Sequence, residues 1–318
     1  MGLNRRLFLA AATGALAVPA ISRAATARPF TLILDWFVNP DHAPLFAAKY
    51  CGAYEKAGID VKLIAPTDPD VPPKLVAAGK ADAALTYQTQ LYLLVDQGVP
   101  VRRTGTLINK PLNTLTALGR SGISKLADLK GRKVGYSVAG VEPVIIGAML
   151  KHVGMSLNDI QLVNVNFELV SALQTRAVDA VIGTYRTYED IQLAQAGLDP
   201  VVFLPEDYGV PASDELLLLS NVSGLNNPAL PAFLGALKEG VAALRADPDG
   251  MLAKFLKENP SLNDKLDIAS WHALPSYFAA DPVALDARRY ETYRDFLFDN
   301  GVIKQKLPLG DYAVAIPA

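Results

Sequence analysis

The chain has 318 residues, 51% of them hydrophobic and 19% charged, with 23 glycines and 22 prolines. That is too apolar for a disordered chain, and 30 Lys+Arg against 32 Asp+Glu leave no basic excess to hold nucleic acid. The single cysteine, Cys51, excludes an intrachain disulfide, a cysteine zinc site and an iron–sulfur cluster.

Residues 1–25 read as an export signal rather than as part of the fold. Arg5-Arg6 precede Leu7-Phe8-Leu9, the apolar stretch Ala10–Ile21 and the small-residue end Ser22-Arg23-Ala24, which together make a charged, apolar and cleavable leader. Paired arginines before Phe-Leu give it twin-arginine character; an ordinary Sec leader carrying two arginines is the alternative. Without Arg5, Arg6 and Arg23 the mature chain keeps 27 basic against 32 acidic residues. It is expected to be periplasmic, monomeric and not inserted in a membrane.

Phe30–Leu34 is a short apolar run of the kind that forms a buried strand. His42–Lys56 has helical spacing with Gly58 as its stop, and Ile59–Leu63 alternates as a second strand should. Asp70–Ala78 predicts a helix closed by Gly79, and Ala81–Leu85 a third strand. Strands alternating with helices imply an α/β fold with a doubly wound, mostly parallel sheet. Ligands on such sheets sit beyond the carboxyl ends of the strands.

The pattern restarts after Gly119 and Gly122. Leu126–Tyr136 runs from a helical turn into a strand, and the loop Ser137–Gly140 leads into a helix Glu142–His152. Leu162–Val165 is a further strand, and Val178–Gly183 echoes Ala81–Leu85. The echo predicts two similar lobes: one over 28–116 and 217–318, the other over 117–216, with hinge strands near Thr114–Gly119 and Asp214–Ser220. From Asn226 the chain is mainly helical, with Phe233–Leu244, Asp249–Lys257 and Val283–Asn300 as candidates.

The strand ends supply Trp36, Tyr87 and Tyr185 as flat faces, and Asp35, Asn39, Gln88 and Glu189 as hydrogen-bonding edges. A heteroaromatic ligand wants both: stacking adds about 1–3 kcal/mol per ring, and each charge-assisted bond roughly 1.5–3 kcal/mol. Glu142 and His42 open helices beside these segments; a helix-start hydrogen bond is the other reading of His42, and of Asp35 a cap. Oxyanions fit poorly, because Arg186 is the one arginine near a strand end and Glu142 would repel them. No two histidines show metal-ligand spacing, and no nucleophile elbow or glycine-rich phosphate loop appears, so neither a metal nor a cofactor is expected. Lys80, Asp82 and Asp179 read as structural, one of Phe167 and Glu168 is expected to line the cleft, and Cys51 to be inert packing in an apolar helix.

Two such lobes with a helical tail resemble a type II periplasmic solute-binding protein, with its ligand in the interlobe cleft. Leu34-Asp35-Trp36-Phe37-Val38-Asn39-Pro40-Asp41-His42 resembles the LDW-x-PN-x-x-H opening of the family that binds thiamine pyrimidine precursors for ABC transporters, with Val38 where the pattern has proline. Pro66–Pro69, Gly79–Asp82, Tyr87-Gln88, Gly135–Ser137, Val178–Gly183 and Tyr185 with Glu189 follow in the family's order. The resemblance implies closure on an aminopyrimidine such as formylaminopyrimidine, then delivery to a membrane permease; riboflavin or another heteroaromatic nutrient is the alternative ligand. The family also contains pyrimidine synthases, which bind pyridoxal phosphate through a lysine and consume a histidine of their own. Their pattern, set on Gly79–Asp82, puts Thr86 at the lysine position and Gln90 at the histidine position, and Ala212–Leu217 replaces their cysteine-rich tract. The resemblance therefore implies a binder and not an enzyme.

Overall fold

The structure, a computed structural model, describes residues 27–317; the expected signal segment lies outside them. The chain first forms β1 (Arg28–Ile33), β2 (Ile59–Ile64), β3 (Ala83–Thr86) and β4 (Val101–Ile108). It then crosses to β5 (Asn113–Leu118), β6 (Lys133–Tyr136), β7 (Gln161–Asn164), β8 (Ala180–Tyr185) and β9 (Pro200–Phe203), and returns with β10 (Leu216–Asn221). These make two five-stranded sheets, ordered β2-β1-β3-β10-β4 and β7-β6-β8-β5-β9. In each, three strands pair in parallel, and the strand arriving from the other lobe is inserted antiparallel beside the third. The two-lobed, mostly parallel α/β architecture is thus the expected one. Its central strands are buried along their whole length, as β3 and most of β10 show, so they read as apolar runs rather than as alternation.

The echo between the halves has a physical basis. Asp82, just before β3, accepts the Thr31 N–H of β1 at 2.8 Å, and Asp179, just before β8, accepts the Lys133 N–H of β6 at 2.9 Å. In both lobes one carboxylate ties the start of the third strand to the first, the structural role read from sequence for these aspartates. The crossings fall at residues 109–112 and 204–215. The expected hinge strands Thr114–Gly119 and Asp214–Ser220 are for the most part β5 and β10, which begin where the crossings end; Asp214 and Glu215 lie within the second crossing itself.

The expected helix His42–Lys56 is three pieces: a 3-10 turn Pro40–His42, a helix Ala43–Tyr50 and a helix Ala53–Lys56. Gly52, at φ +75°, breaks it. Cys51 is therefore an exposed residue beyond a helix end, not core packing. In the tail, helix Ala229–Ala246 buries Leu230, Phe233, Leu234, Leu237, Val241 and Leu244 on one face. Gly240 lets it lie close on Ala43–Tyr50, since a Cβ there would stand 2.7 Å from the Ala48 Cβ. Asp286 caps a last helix, Ala287–Asp299, which starts later than expected, and a helix Lys265–Ala273 that sequence periodicity did not suggest reaches across to the second lobe. Among the described residues no helix is long and apolar enough to cross a membrane.

Candidate functional site

Residues at or just beyond the carboxyl ends of β1, β3, β6 and β8 line one cleft between the lobes, about 410 Å³ of empty space when its open mouth is included. Seven of the nine candidate residues line it: Asp35, Trp36, Asn39, Tyr87, Glu142, Tyr185 and Glu189. Asp41, Ser137, Leu169, Gly183 and Tyr188 join them without having been anticipated. Asp41, Ser137 and Gly183 lie inside segments quoted above; Leu169 and Tyr188 had no signal beyond their position after a strand.

The other two candidates act from behind the wall. His42 is fully buried; its Nδ1 accepts the Asn39 N–H at 3.3 Å, so the ring hydrogen sits on Nε2 and donates to Asp35 Oδ1 at 3.0 Å. Tyr87 donates its hydroxyl to Asp35 Oδ2 at 3.2 Å, and the Asp35 carboxylate is thereby fixed by two donors. Asn39 Oδ1 accepts the Asp41 N–H at 2.7 Å and caps the 3-10 turn. Gln88 faces a separate cavity behind Tyr87, where its Oε1 accepts the Asp214 N–H at 2.7 Å.

From the second lobe, Glu142 accepts the Val138 N–H at 3.0 Å and Glu189 the Tyr185 N–H at 2.9 Å. Gly183, at φ +108°, gives Glu142 its room: a Cβ there would lie 2.8 Å from Glu142 Oε1. Trp36 belongs to the first lobe, yet its ring packs edge-on against Phe167 of the second, with centroids 4.4 Å apart. Neither Phe167 nor Glu168 lines the cleft; Phe167 supports the tryptophan that does. Tyr188 donates to Asp267 of the tail at 3.3 Å, a further link between the lobes.

The cleft is acidic. Asp35, Asp41, Glu142 and Glu189 line it and no lysine or arginine does. Arg186 turns away to pair with Glu206 at 2.7 Å. Burial pushes the Glu189 carboxyl up to about 7, and burial first, with neighbouring carboxylates, holds Asp41 and Glu142 well above the ordinary range. Three polar atoms of the lining residues are buried with no hydrogen-bond partner: Trp36 Nε1, Asp41 Oδ1 and the Tyr185 hydroxyl. Native proteins leave few such atoms unpaired, and three around one cleft call for a polar occupant. Aromatic faces with carboxyl edges suit a flat ring rich in N–H donors; they oppose an anion.

Residues 39–251 match the model of the family described as NMT1/THI5 like. The chain belongs to the NMT1/THI5-like family. Two bacterial relatives within reach are a Haemophilus influenzae protein named for thiamine biosynthesis, 44% identical over 90% of this chain and 91% of its own, and a formylaminopyrimidine-binding protein of Halalkalibacterium halodurans, 33% identical over 73% and 71%. A 4-amino-5-hydroxymethyl-2-methylpyrimidine phosphate synthase of Uromyces fabae is 27% identical over 79% of the chain and 77% of its own. The alkanesulfonate-binding protein of Xanthomonas axonopodis, solved with MOPS, superposes with a TM-score of 0.72 at 13% identity over 91% of this chain and 99% of its own. That likeness shows that this NMT1/THI5-like chain has the periplasmic-binding-protein fold. At the positions aligned above with the synthase lysine and histidine, Thr86 donates to Gln90 Oε1 at 2.5 Å and both are buried.

Proposed function

We propose that the protein is the periplasmic receptor of an ABC importer and closes on an aminopyrimidine precursor of thiamine, formylaminopyrimidine or a near relative, without chemical change. One observation carries the reading: four carboxyl groups and no cation line an aromatic-walled cleft between two lobes. An aminopyrimidine brings N–H donors to those carboxyls and a flat face to Trp36, Tyr87 and Tyr185, whereas a sulfonate would find no cation to pair with. The 33% identical formylaminopyrimidine-binding relative supports the ligand class. Thr86 and Gln90 supply neither a Schiff-base amine nor an imidazole, which favours binding over synthesis. Each lobe furnishes part of the wall, so ligand stabilises the closed arrangement and the closed surface is what a permease would recognise.

The test is a thermal-shift and calorimetric panel on mature protein unfolded and refolded to remove carried ligand. It contains formylaminopyrimidine, hydroxymethylpyrimidine, thiamine, riboflavin, taurine and an alkanesulfonate. Ligand at about 100 times its Kd adds roughly 2.7 kcal/mol of stability. A shift with the pyrimidines is expected; a shift with riboflavin or a sulfonate alone overturns the ligand assignment.

A further inference from the structure

We propose that Asp41 is the specificity residue of this cleft and meets the ligand as a carboxylic acid, its O–H donating to a ring nitrogen and its carbonyl oxygen accepting from the adjacent exocyclic amine. The inference rests on the aminopyrimidine reading and names the side chain that would recognise that edge.

The carboxyls of the cleft are not equivalent. Asp35 is held by His42 and Tyr87, Glu142 by the Val138 N–H, and Glu189 by the Tyr185 N–H. Asp41 is 4% exposed, and its Oδ1 is buried without a partner. Its backbone is pinned, because its N–H bonds Asn39 Oδ1 and it sits in the turn Pro40–His42, so the side chain is aimed at the cleft by a rigid element. A carboxylate supplied with donors tolerates ionisation in a buried place; one with none does not.

The charged groups around it are of one sign. Asp35 lies on the same segment, Glu189 comes from the second lobe, Glu215 from the second crossing, and Asp267 from helix Lys265–Ala273, which packs on the turn. Both ring nitrogens of His42 are taken up elsewhere, Nδ1 by the Asn39 N–H and Nε2 by Asp35. Burial, with those four carboxylates, holds the Asp41 carboxyl well above the usual range. The acid form places one donor and one acceptor side by side. An aminopyrimidine edge presents an acceptor and a donor side by side, so the two match in a planar pair.

Calorimetric titration of formylaminopyrimidine into refolded wild type, Asp41→Asn and Asp41→Ala at pH 6 tests the pairing. Asparagine keeps a donor beside an acceptor, so Asp41→Asn is expected within about threefold of wild type, and Asp41→Ala at least about tenfold weaker. Equal losses in both variants would mean that an ionised carboxylate is required, and no loss in either would mean that Asp41 does not touch the ligand; each overturns the proposal. Absence of binding by wild type overturns the aminopyrimidine reading itself, and the pairing with it. Ligand-free unfolding gives an independent arm. Only wild type must ionise this group as pH rises, so the stability of Asp41→Asn relative to wild type is expected to grow from pH 5 to pH 8. A constant difference overturns the acid form whatever the ligand.

Discussion

Replacing Glu189 by glutamine should remove a pH-dependent loss of stability whose size follows from the structure. Glu189 is buried at 9% exposure, and its Oε2 accepts the Tyr185 N–H at 2.9 Å. Burial is the main cause that pushes its carboxyl from 4.5 to about 7; the Asp190 charge adds to it. Because the folded value lies above the unfolded one, the contribution is fully present below about pH 4.5 and is lost as pH rises toward 7. At about 1.4 kcal/mol per pH unit, that loss is about 3 kcal/mol. Glutamine keeps an oxygen for the Tyr185 N–H but has no proton to lose. Urea unfolding of ligand-free wild type and Glu189→Gln at pH 4.5, 6 and 8 reads the effect; Glu142 acts alike in both proteins and cancels, while Asp41 keeps burial, its largest cause, and loses one of its neighbouring carboxylates. The stability difference should move in favour of the variant by about 3 kcal/mol between pH 4.5 and 8. A difference that does not change with pH would refute the reasoning.

Trp36→Ala should weaken pyrimidine binding at least about tenfold, roughly 1.4 kcal/mol, since it removes a stacking face worth about 1–3 kcal/mol; calorimetry on refolded protein measures it, and unchanged affinity would take Trp36 out of the site. Gly183→Ala should lower stability by about 2 kcal/mol and also weaken binding, because the new Cβ, at φ +108°, would press on Glu142 from 2.8 Å; denaturation paired with titration checks both. Gly240→Val should destabilise the first lobe by about 2–4 kcal/mol while leaving the cleft intact, as the helices Ala229–Ala246 and Ala43–Tyr50 are forced apart. Its melting temperature should fall by several degrees, with ligand affinity at the residual folded state unchanged.

Much of the fold is legible in local text. The apolar runs of β1 and β3, the alternation of β2, the helix Glu142–His152, recovered with its expected ends, and the paired Asp82 and Asp179 all follow from short-range periodicity and strand-start hydrogen bonds. The strand-end rule then led to seven side chains that line one cleft, since parallel α/β sheets expose their functional residues there. What escaped was long-range. β4 and β10 carry no alternation because both faces are covered, β9 is a four-residue edge strand, and the exchange of β5 and β10 between lobes is a pairing choice that no local pattern encodes. Helix Lys265–Ala273 has no clear apolar face, because Asp267 and Ser270 are buried beside Trp271.

The site divides along the same line. The residue types, aromatic faces and carboxyl edges after the strands, were determined by sequence alone, as was the want of any lysine or histidine where the related synthases need them. Which side chains touch the cleft and which hold others in place was decided by tertiary structure. His42 and Gln88 stand in the same segments as Asp35 and Tyr87, yet they turn away, because each finds a buried polar partner behind the wall. Asp41 turns inward because its backbone is capped by Asn39 and no donor reaches its side chain. A hydrogen-bond partner more than a hundred residues distant, as Asp214 is for Gln88, cannot be read from spacing, and it is such partners that sort a list of polar residues into wall and scaffold.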